Sequence, residues 1–146
     1  MNSLEEKNIE VRRANANDAK YLAKLNDEFN GIGITEEEII ERLSFSNEIV
    51  VITLANDVPV GFACAQFYQS FCYSNPCAEI TELYITSHAR RKGIATEILN
   101  FIENELILKG VKSVKVLTGK KNEIAIKTYE NSNYIMEDEQ VLQKKL

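Results

Sequence analysis

Positive charge in this acidic sequence is concentrated in one short segment that joins a predicted strand to a predicted helix. The segment contains Arg90, Arg91 and Lys92, followed by Gly93. The first turn of a helix exposes backbone N–H groups without a partner in the helix and carries a partial positive charge, so it binds phosphate well. Gly93 and Ala95 are small enough to let the backbone approach a ligand closely. The segment therefore predicts a pyrophosphate-binding site.

Two common phosphate-binding motifs do not fit this segment. A P-loop would end in Gly-Lys-Ser/Thr, whose hydroxyl binds Mg²⁺, and that ending is missing. A dinucleotide-binding Gly-x-Gly turn would follow a strand, whereas Gly31 and Gly33 follow a predicted helix. The alternative interpretation is a basic turn exposed to solvent, in which the glycine serves packing only.

A second set of reactive side chains lies on a later helix and on the strand before the basic segment. Asn122 and Tyr129 are seven residues apart, which is two helical turns, so both side chains lie on one helix face. A phenol with an ordinary pKa of about 10 is protonated at neutral pH and can act as a general acid. Glu79 and Glu82 are candidate carboxylates on the strand predicted over 78–85, where strict alternation places them on opposite faces. Tyr129 could instead be an aromatic residue that only packs on the sheet.

Metal and cysteine chemistry are not favoured by the remaining reactive side chains. Zinc needs about four Cys or His ligands at close spacing, and the chain has three cysteines and one histidine. An odd number of cysteines without an export signal predicts free thiols rather than disulfides. We therefore expect no metal, and we interpret Cys64, Cys72 and Cys77 as small apolar residues rather than as nucleophiles paired with His88.

The apolar pattern places these residues in an α/β fold with a mixed sheet, because helices and strands alternate only in the second half. The predicted order is β-α-α-β-β-β-α-β-α-β(-β). Helix starts are indicated at Asn17-Asp18, at the capping box Thr35-x-x-Glu38, after Gly93 and at Asn122. The predicted strands cover 9–13, 49–54, 60–67, 78–85, 114–117, 134–136 and 141–142. No repeat or linker interrupts them, so residues 1–146 are predicted to form a single domain.

Composition excludes several classes of partner. The chain has 17 Lys and Arg against 22 Asp and Glu, a net charge of −5. Binding to nucleic acid or to an anionic membrane would need clustered positive charge to displace counterions. No apolar run approaches the ~20 residues of a membrane-spanning helix, and the charged first residues do not resemble a signal peptide. We therefore expect a cytoplasmic protein that binds neither nucleic acid nor membranes.

Three segments, correctly ordered and spaced, resemble motifs of the GNAT superfamily of acetyl-CoA-dependent N-acetyltransferases. Arg90-Arg-Lys-Gly-Ile-Ala95 resembles its Arg/Gln-x-x-Gly-x-Gly/Ala signature. Residues 122–134 resemble its second motif of Asn, Ala, Tyr and then Gly-Phe, although here the motif ends in Ser132-Asn-Tyr134. Val58-Pro-Val-Gly-Phe62 resembles its central hairpin. The matches cover residues 48–136 approximately, and they imply the GNAT-like acyltransferase fold.

The resemblance implies that acetyl-CoA is the cosubstrate, with its pantetheine arm lying between two splayed strands. Backbone groups of Leu83 and Ile85 would bind that arm, and Asn122 would hydrogen-bond near the thioester or to an ordered water. The pyrophosphate would lie on the amides of residues 91–96, beside Arg90. The cofactor-binding residues implied are Leu83, Tyr84, Ile85, Arg90, Arg91, Lys92, Gly93, Ile94, Ala95, Thr96, Asn122, Ala125 and Tyr129.

The resemblance also implies that Tyr129 protonates the departing CoA thiolate. An amine arrives mostly as ammonium and must lose a proton before it attacks the thioester. Glu82 is the favoured base, Glu79 is the second candidate, and a chain of waters with no single base is an equal alternative. A bulge, which the resemblance implies for this strand, would change which of these carboxylates share a face.

The acceptor is expected to be a primary amine that attacks directly, without an acyl-enzyme. Carboxylates and aromatic rings together suit a cation, and the predicted substrate-binding residues are Asp27, Glu28, Phe29, Phe71 and Tyr73. They indicate an aminoglycoside-like or polyamine-like amine, or a lysine or N-terminal amine, although they could also be a solvated helix end and a packed loop. The alternative functions are a non-catalytic acyl-CoA-binding or sensory module and an interaction domain without a cofactor. A homodimer could form by pairing of the last predicted strand.

Overall fold

The computed structural model describes residues 8–45, 47–90 and 93–146. Within these residues one mixed sheet of five strands carries helices on both faces, which confirms the predicted fold class. Neighbouring strands pair antiparallel from β1 to β4, and β5 pairs parallel with β4. The strands are β1 (Ile9–Arg13), β2 (Glu48–Ala55), β3 (Val58–Tyr68), β4 (Cys77–Ile85) and β5 (Val114–Val116). The helices are α1 (Ala19–Asn30), α2 (Glu36–Leu43), α3 (Ile94–Leu108) and α4 (Glu123–Glu130).

Two apolar clusters fix the helices on opposite faces of the sheet. The larger cluster holds α3, through residues such as Ile98 and Ile102, together with Tyr129 of α4. The smaller cluster packs α1 against β2 and β3, and the side chains of Ile39 and Leu43 of α2 lie at its edge. Ile40, which the sequence pattern places inward, is exposed. The helix α2 is therefore only lightly packed, and this leaves space between it and the sheet.

The start of α1 differs from the prediction. Asn17-Asp18 is predicted to cap the helix, but Asn15 caps a preceding 3-10 turn, and its side chain accepts from the Asn17 N–H at 2.9 Å. The carboxylate of Asp18 is buried instead, where it accepts from Arg12 at 2.7 and 2.9 Å and from the Asn15 N–H. The two hydrogen bonds to a guanidinium hold the carboxylate in place more strongly than a helix cap would.

Asp18→Asn is expected to lower the free energy of unfolding at pH 7 by about 2 kcal/mol, because it removes the buried carboxylate paired with Arg12. The Arg12 guanidinium then keeps only its ion pair with the more exposed Glu10, at 3.4 Å. The hydrogen bond from Arg12 holds the pKa of Asp18 below its usual 3.8. A carboxyl whose pKa is lowered by folding stabilises the protein above the unfolded pKa, and this stabilisation is lost as the pH falls through the folded pKa. Urea unfolding at pH 7 and at acid pH should therefore show the difference between variant and parent shrinking on acidification. Asp57→Asn in the exposed hairpin turn is the matched control, and a difference that does not depend on pH would contradict the ion-pair explanation.

A bulge in β4 determines which side chains share a face. Cys64 pairs with Glu82 and the next residue of β3 pairs with Ile80, so Thr81 is the extra residue. Ile80 and Leu83 consequently both face the larger cluster. By alternation on either side of the bulge, Glu79 and Glu82 lie on the other face. Strict alternation, which would separate them, is wrong, and the bulge implied by the resemblance is present.

The two predicted final strands do not form. After α4 the chain continues to residue 146 without regular structure, and Ile135, Met136 and Leu142 are largely exposed. A strand needs a neighbour to satisfy its backbone groups. The acidic stretch 137–139 interrupts the short apolar runs, and no strand of this segment reaches β5.

Candidate active site

The β4 strand has a free edge where it extends beyond β5. Only Ala78, Glu79 and Ile80 pair with β5, so residues 81–85 have no strand on that side among the described residues. The outward backbone groups of such a stretch can bind an extended ligand as an added strand does. Leu83 and Ile85, the predicted pantetheine partners, lie in this open stretch, and the side chain of Tyr84 faces α1.

The open edge leads to the N-terminus of α3. Gly93 is the N-cap residue, it adopts φ 76°, and no side chain among the described residues caps this end. The first amides of a helix lack partners within it, so those of Ile94, Ala95 and Thr96 can bind an anion. Apart from its chain neighbours, a Cβ built at Gly93 would meet no described atom within 4 Å, so the described residues do not crowd this position.

Arg90 lies beside this helix end. Its Nε donates to the Ile85 carbonyl at 2.9 Å, and its guanidinium lies 5.9 Å from the ring centre of Tyr84. Because Nε makes this hydrogen bond, the two terminal nitrogens of the Arg90 guanidinium are not needed to bind the Ile85 carbonyl. Arg91 and Lys92, which the sequence also predicts to bind pyrophosphate, lie outside the described residues.

The helix α4 positions Asn122 and Tyr129 as their spacing predicts. The Asn122 side chain caps the helix by accepting from the Ala125 N–H at 3.2 Å, and Ala125 packs on the larger cluster. Tyr129 is buried near the other end of the helix. Burial raises the pKa of the Tyr129 phenol, and the charge of Glu82 raises it further. The phenol is therefore protonated at neutral pH and lies within electrostatic range of the Glu82 carboxylate.

A cavity with a volume of about 830 Å³ lies under α1 and α2, against β2, β3 and β4. Four carboxylates and one guanidinium line it, and that guanidinium, of Arg42, lies 5.5 Å from the ring centre of Phe45. Its wall is therefore net acidic. The lining residues are Leu22, Asn26, Ile34, Glu38, Ile39, Glu41, Arg42, Leu43, Phe45, Asn47, Glu48, Val50, Phe62, Cys64, Gln66 and Glu82.

Glu82 lines the cavity, and its charge also acts on the Tyr129 phenol. Its carboxylate lines the cavity wall, and burial raises the pKa of that carboxyl above its usual value. Glu79 is partly buried, lies between Gln66 and Lys115 in the sheet, and does not line the cavity. The structure therefore places Glu82, rather than Glu79, in the cavity lining, and the charge of Glu82 acts on the phenol.

The five predicted substrate-binding residues lie outside this cavity lining. Asp27 accepts the Gly31 N–H through its backbone carbonyl where α1 ends. Glu28 accepts from the Tyr84 hydroxyl at 3.3 Å, and Phe29 stacks on the Tyr84 ring at 5.0 Å. The remaining two, Phe71 and Tyr73, are exposed on the loop before β4.

The sequence interpretation missed three carboxylates of the cavity, which are Glu38, Glu41 and Glu48. The first two lie on α2 and the third begins β2. The acids of α2 have the pattern of an ordinary solvated helix face, so nothing local distinguishes them. The signal that could have found them is the excess of acids in residues 36–48, which contain five glutamates and one arginine.

The cysteines are free thiols. Burial raises the pKa of Cys64 far above its ordinary value, with further contributions from Glu48 and Glu82, so this thiol in the cavity wall is a poor nucleophile. Among the described residues no group of three His, Cys, Asp or Glu side chains could hold a metal ion. No helix in that part of the chain is long and apolar enough to cross a membrane.

Solved structures share this fold at low sequence identity. One is an aminoglycoside acetyltransferase, meta-AAC0020, from an uncultured soil metagenomic sample, in complex with trehalose. It is 21% identical over 94% of this chain and 95% of that chain, with a TM-score of 0.81. The aminoglycoside N-acetyltransferase AAC(6')-Iy in complex with CoA is 17% identical over 99% of both chains, with a TM-score of 0.83. A ribosomal-protein-alanine N-acetyltransferase from Brucella melitensis biovar Abortus 2308 is 14% identical over 94% of this chain and 99% of its own, with a TM-score of 0.79. At these identities the likeness shows the fold alone.

Sequence comparison gives the family. No curated protein matches the sequence significantly. A model of the acetyltransferase (GNAT) family matches residues 16–134, which is most of the chain. The chain therefore belongs to the GNAT acetyltransferase family and is an acyltransferase.

Proposed function

We propose that the protein transfers the acetyl group of acetyl-CoA to a primary amine of a small cationic molecule bound in the acidic cavity. The observation that carries this proposal is the position of Glu82, which lines the cavity and lies within electrostatic range of Tyr129. This arrangement would supply a general base and a general acid on the two sides of one transfer site. Family membership supports acetyl-CoA as the donor, and AAC(6')-Iy was crystallised with CoA.

The residues present fit acetyl-CoA, which supplies an activated thioester when bound. Backbone groups of Leu83 and Ile85 on the open edge of β4 would bind its pantetheine arm. The amides of Ile94–Thr96 and the guanidinium of Arg90 would bind its pyrophosphate, because Gly93 has no side chain to cap the start of α3 and helix N-termini bind anions. Asn122 remains a proposed contact through the part of its side chain that does not cap α4.

Proton transfer follows from the two side chains at the site. Glu82 would accept the proton that the substrate ammonium must lose, and burial has raised the pKa of its carboxyl toward the range in which a base works at neutral pH. The amine nitrogen can then form the new bond to the acetyl carbon. Tyr129 would donate its phenolic proton to the departing thiolate. No side chain needs to carry the acetyl group, and the buried neutral thiol of Cys64 is unsuited to do so.

The charge of the cavity supports a cationic acceptor. Glu38, Glu41 and Glu48 line the same cavity as Glu82, whereas Arg42, the cation among the described lining residues, lies over the ring of Phe45. Carboxylates in a partly closed site attract cationic substrates through the field that they add together. An aminoglycoside-like or polyamine-like molecule would satisfy several of them at once, and a lysine side chain or an N-terminal amine would satisfy fewer.

Glu48→Gln is expected to raise the KM for the amine about fivefold and to leave the affinity for acetyl-CoA unchanged, since one charge of the cavity wall is lost. Steady-state kinetics at low salt measure the effect, which should shrink as salt is added. Glu37→Gln is the matched control, because Glu37 lies on α2 outside the cavity lining. An equal change in both variants would mean that net charge, and not the cavity, attracts the substrate.

The experiment that tests the proposed function is a screen of amines with acetyl-CoA. The panel should contain polyamines, aminoglycosides, a lysine peptide, a peptide with a free N-terminal amine and neutral primary amines of similar size. Release of CoA should be followed by chromatography, because the exposed thiol of Cys72 would react with thiol reagents. Turnover with multiply charged amines supports the proposal. Tight binding of CoA without turnover on any amine would contradict it and favour a sensory module.

A further inference from the structure

The end of α4 is tied to α3 by one side chain. The hydroxyl of Tyr134, which follows α4, donates to Oε2 of Glu103 on α3 at 3.0 Å, and this contact is partly buried. Burial and the Glu103 charge raise the pKa of the Tyr134 phenol, so it remains a hydrogen-bond donor at every pH at which the enzyme is expected to work.

The same residue contacts Tyr129 in two ways. Its backbone N–H donates to the Tyr129 carbonyl at 3.1 Å, in a turn that Asn133 makes with φ 70°. The two rings meet edge to face, with centres 5.6 Å apart and planes at 63°. Tyr134 therefore connects the proposed general acid with α3, the helix whose N-terminus is proposed to bind the pyrophosphate.

A two-turn helix such as α4 is marginally stable without tertiary contacts. Tyr129 lies near its C-terminal end, where fraying would move the phenol most. The link from Glu103 through Tyr134 counteracts that fraying, because it fixes the residue that packs against the Tyr129 ring. It also fixes the ring relative to α3, and so relative to the proposed cosubstrate site.

We infer that Tyr134 and Glu103 are positioning residues that hold Tyr129 in register with the thioester. The inference rests on the proposed function, because it gives the link a catalytic purpose only if Tyr129 is the general acid. Neither residue lines the acidic cavity, and neither belongs to the proposed cosubstrate site. Loss of the link should therefore lower kcat and leave both Michaelis constants unchanged.

Tyr134→Phe and Glu103→Ala should each lower kcat about tenfold, the rate equivalent of one charge-assisted hydrogen bond. Glu103→Gln should retain most of the activity, since its amide oxygen can still accept from the phenol. Glu105→Gln is the matched control on the same helix, where it removes an ion pair with Arg13 at 3.6 Å. The control should leave kcat unchanged. Equal kcat in Tyr134→Phe and the parent would overturn the inference.

Two further measurements separate positioning from a general loss of stability. In the cofactor-free protein, hydrogen exchange of the amides of residues 131–134 should be faster in Tyr134→Phe than in Glu105→Gln. In a Tyr129→Phe background, adding Tyr134→Phe should have no further effect on kcat, because the group that it positions is gone. Additive losses would overturn the inference. If Tyr129→Phe alone left kcat unchanged, Tyr129 would not be the general acid. Faster exchange in Tyr134→Phe would then show only that the link stabilises this segment.

Discussion

Tyr129→Phe is expected to lower kcat about a hundredfold and to change the affinity for acetyl-CoA by less than about twofold. The substitution keeps the ring that packs in the larger apolar cluster and removes only the hydroxyl. Without that proton the thiolate must leave as an anion. Steady-state kcat and a calorimetric dissociation constant for acetyl-CoA measure the two quantities separately.

The control for this prediction is Tyr68→Phe, which removes a phenol from the exposed end of β3. It should leave both quantities unchanged. If Tyr129→Phe weakened acetyl-CoA binding as much as it lowered kcat, the hydroxyl would serve binding or packing rather than proton donation. Because burial and Glu82 raise the pKa of Tyr129, the parent enzyme should keep its acid form above pH 10.

Glu82→Gln is expected to lower kcat/KM for the amine about a hundredfold at pH 7, because the base that deprotonates the ammonium is lost. The loss should diminish toward pH 10, where a substrate amine with a pKa of about 10.4 begins to lose its proton to solvent. The parent enzyme should also lose activity on acidification through the raised pKa of Glu82. The variant should lack this acid limb. The measurement is a pH profile of kcat/KM for the parent and the variant.

Glu79→Gln is the matched control, because Glu79 lies on the same strand and on the same face but outside the cavity lining. It should keep the parent's profile. A large loss in Glu79→Gln with a small one in Glu82→Gln would reverse the assignment of the base. Small losses in both would favour the chain of waters that the sequence left open.

The fold was predictable to the extent that local patterns determine it. The turn between β2 and β3 consists of Asn56 and Asp57, with φ 49° and 65°, and residues that tolerate positive φ mark such a turn in the sequence. The Thr35 cap of α2 and the left-handed Asn133 after α4 were likewise visible as residue types. Each of these features depends on a few neighbouring residues.

Features that depend on distant residues were not predictable. The role of Asp18 depends on Arg12, which is six residues away, and the ion pair prevails over the local preference for a cap. The face on which Glu79 lies depends on a bulge that the resemblance implied but that no residue type in β4 specifies. The last predicted strands have suitable side chains but no neighbour to pair with.

The candidate site shows the same difference between residues that are close in sequence and residues that are distant. Most residues of the proposed cosubstrate end could be named from the sequence, because they are contiguous from the end of β4 to the first turn of α3. The acceptor end could not, because its acidic wall is assembled from α2, β2 and β4. Glu28 and Phe29 instead pack on Tyr84, a contact between residues more than 50 positions apart.

A crystal structure with CoA and the best amine of the panel tests the central claim most directly. The account predicts that the substrate nitrogen lies within hydrogen-bonding distance of Glu82, with its other cationic groups toward Glu48 and α2, and that the CoA sulfur lies beside the Tyr129 hydroxyl. An amine bound against Phe71 and Tyr73 on the loop before β4, or one remote from Glu82, would contradict it.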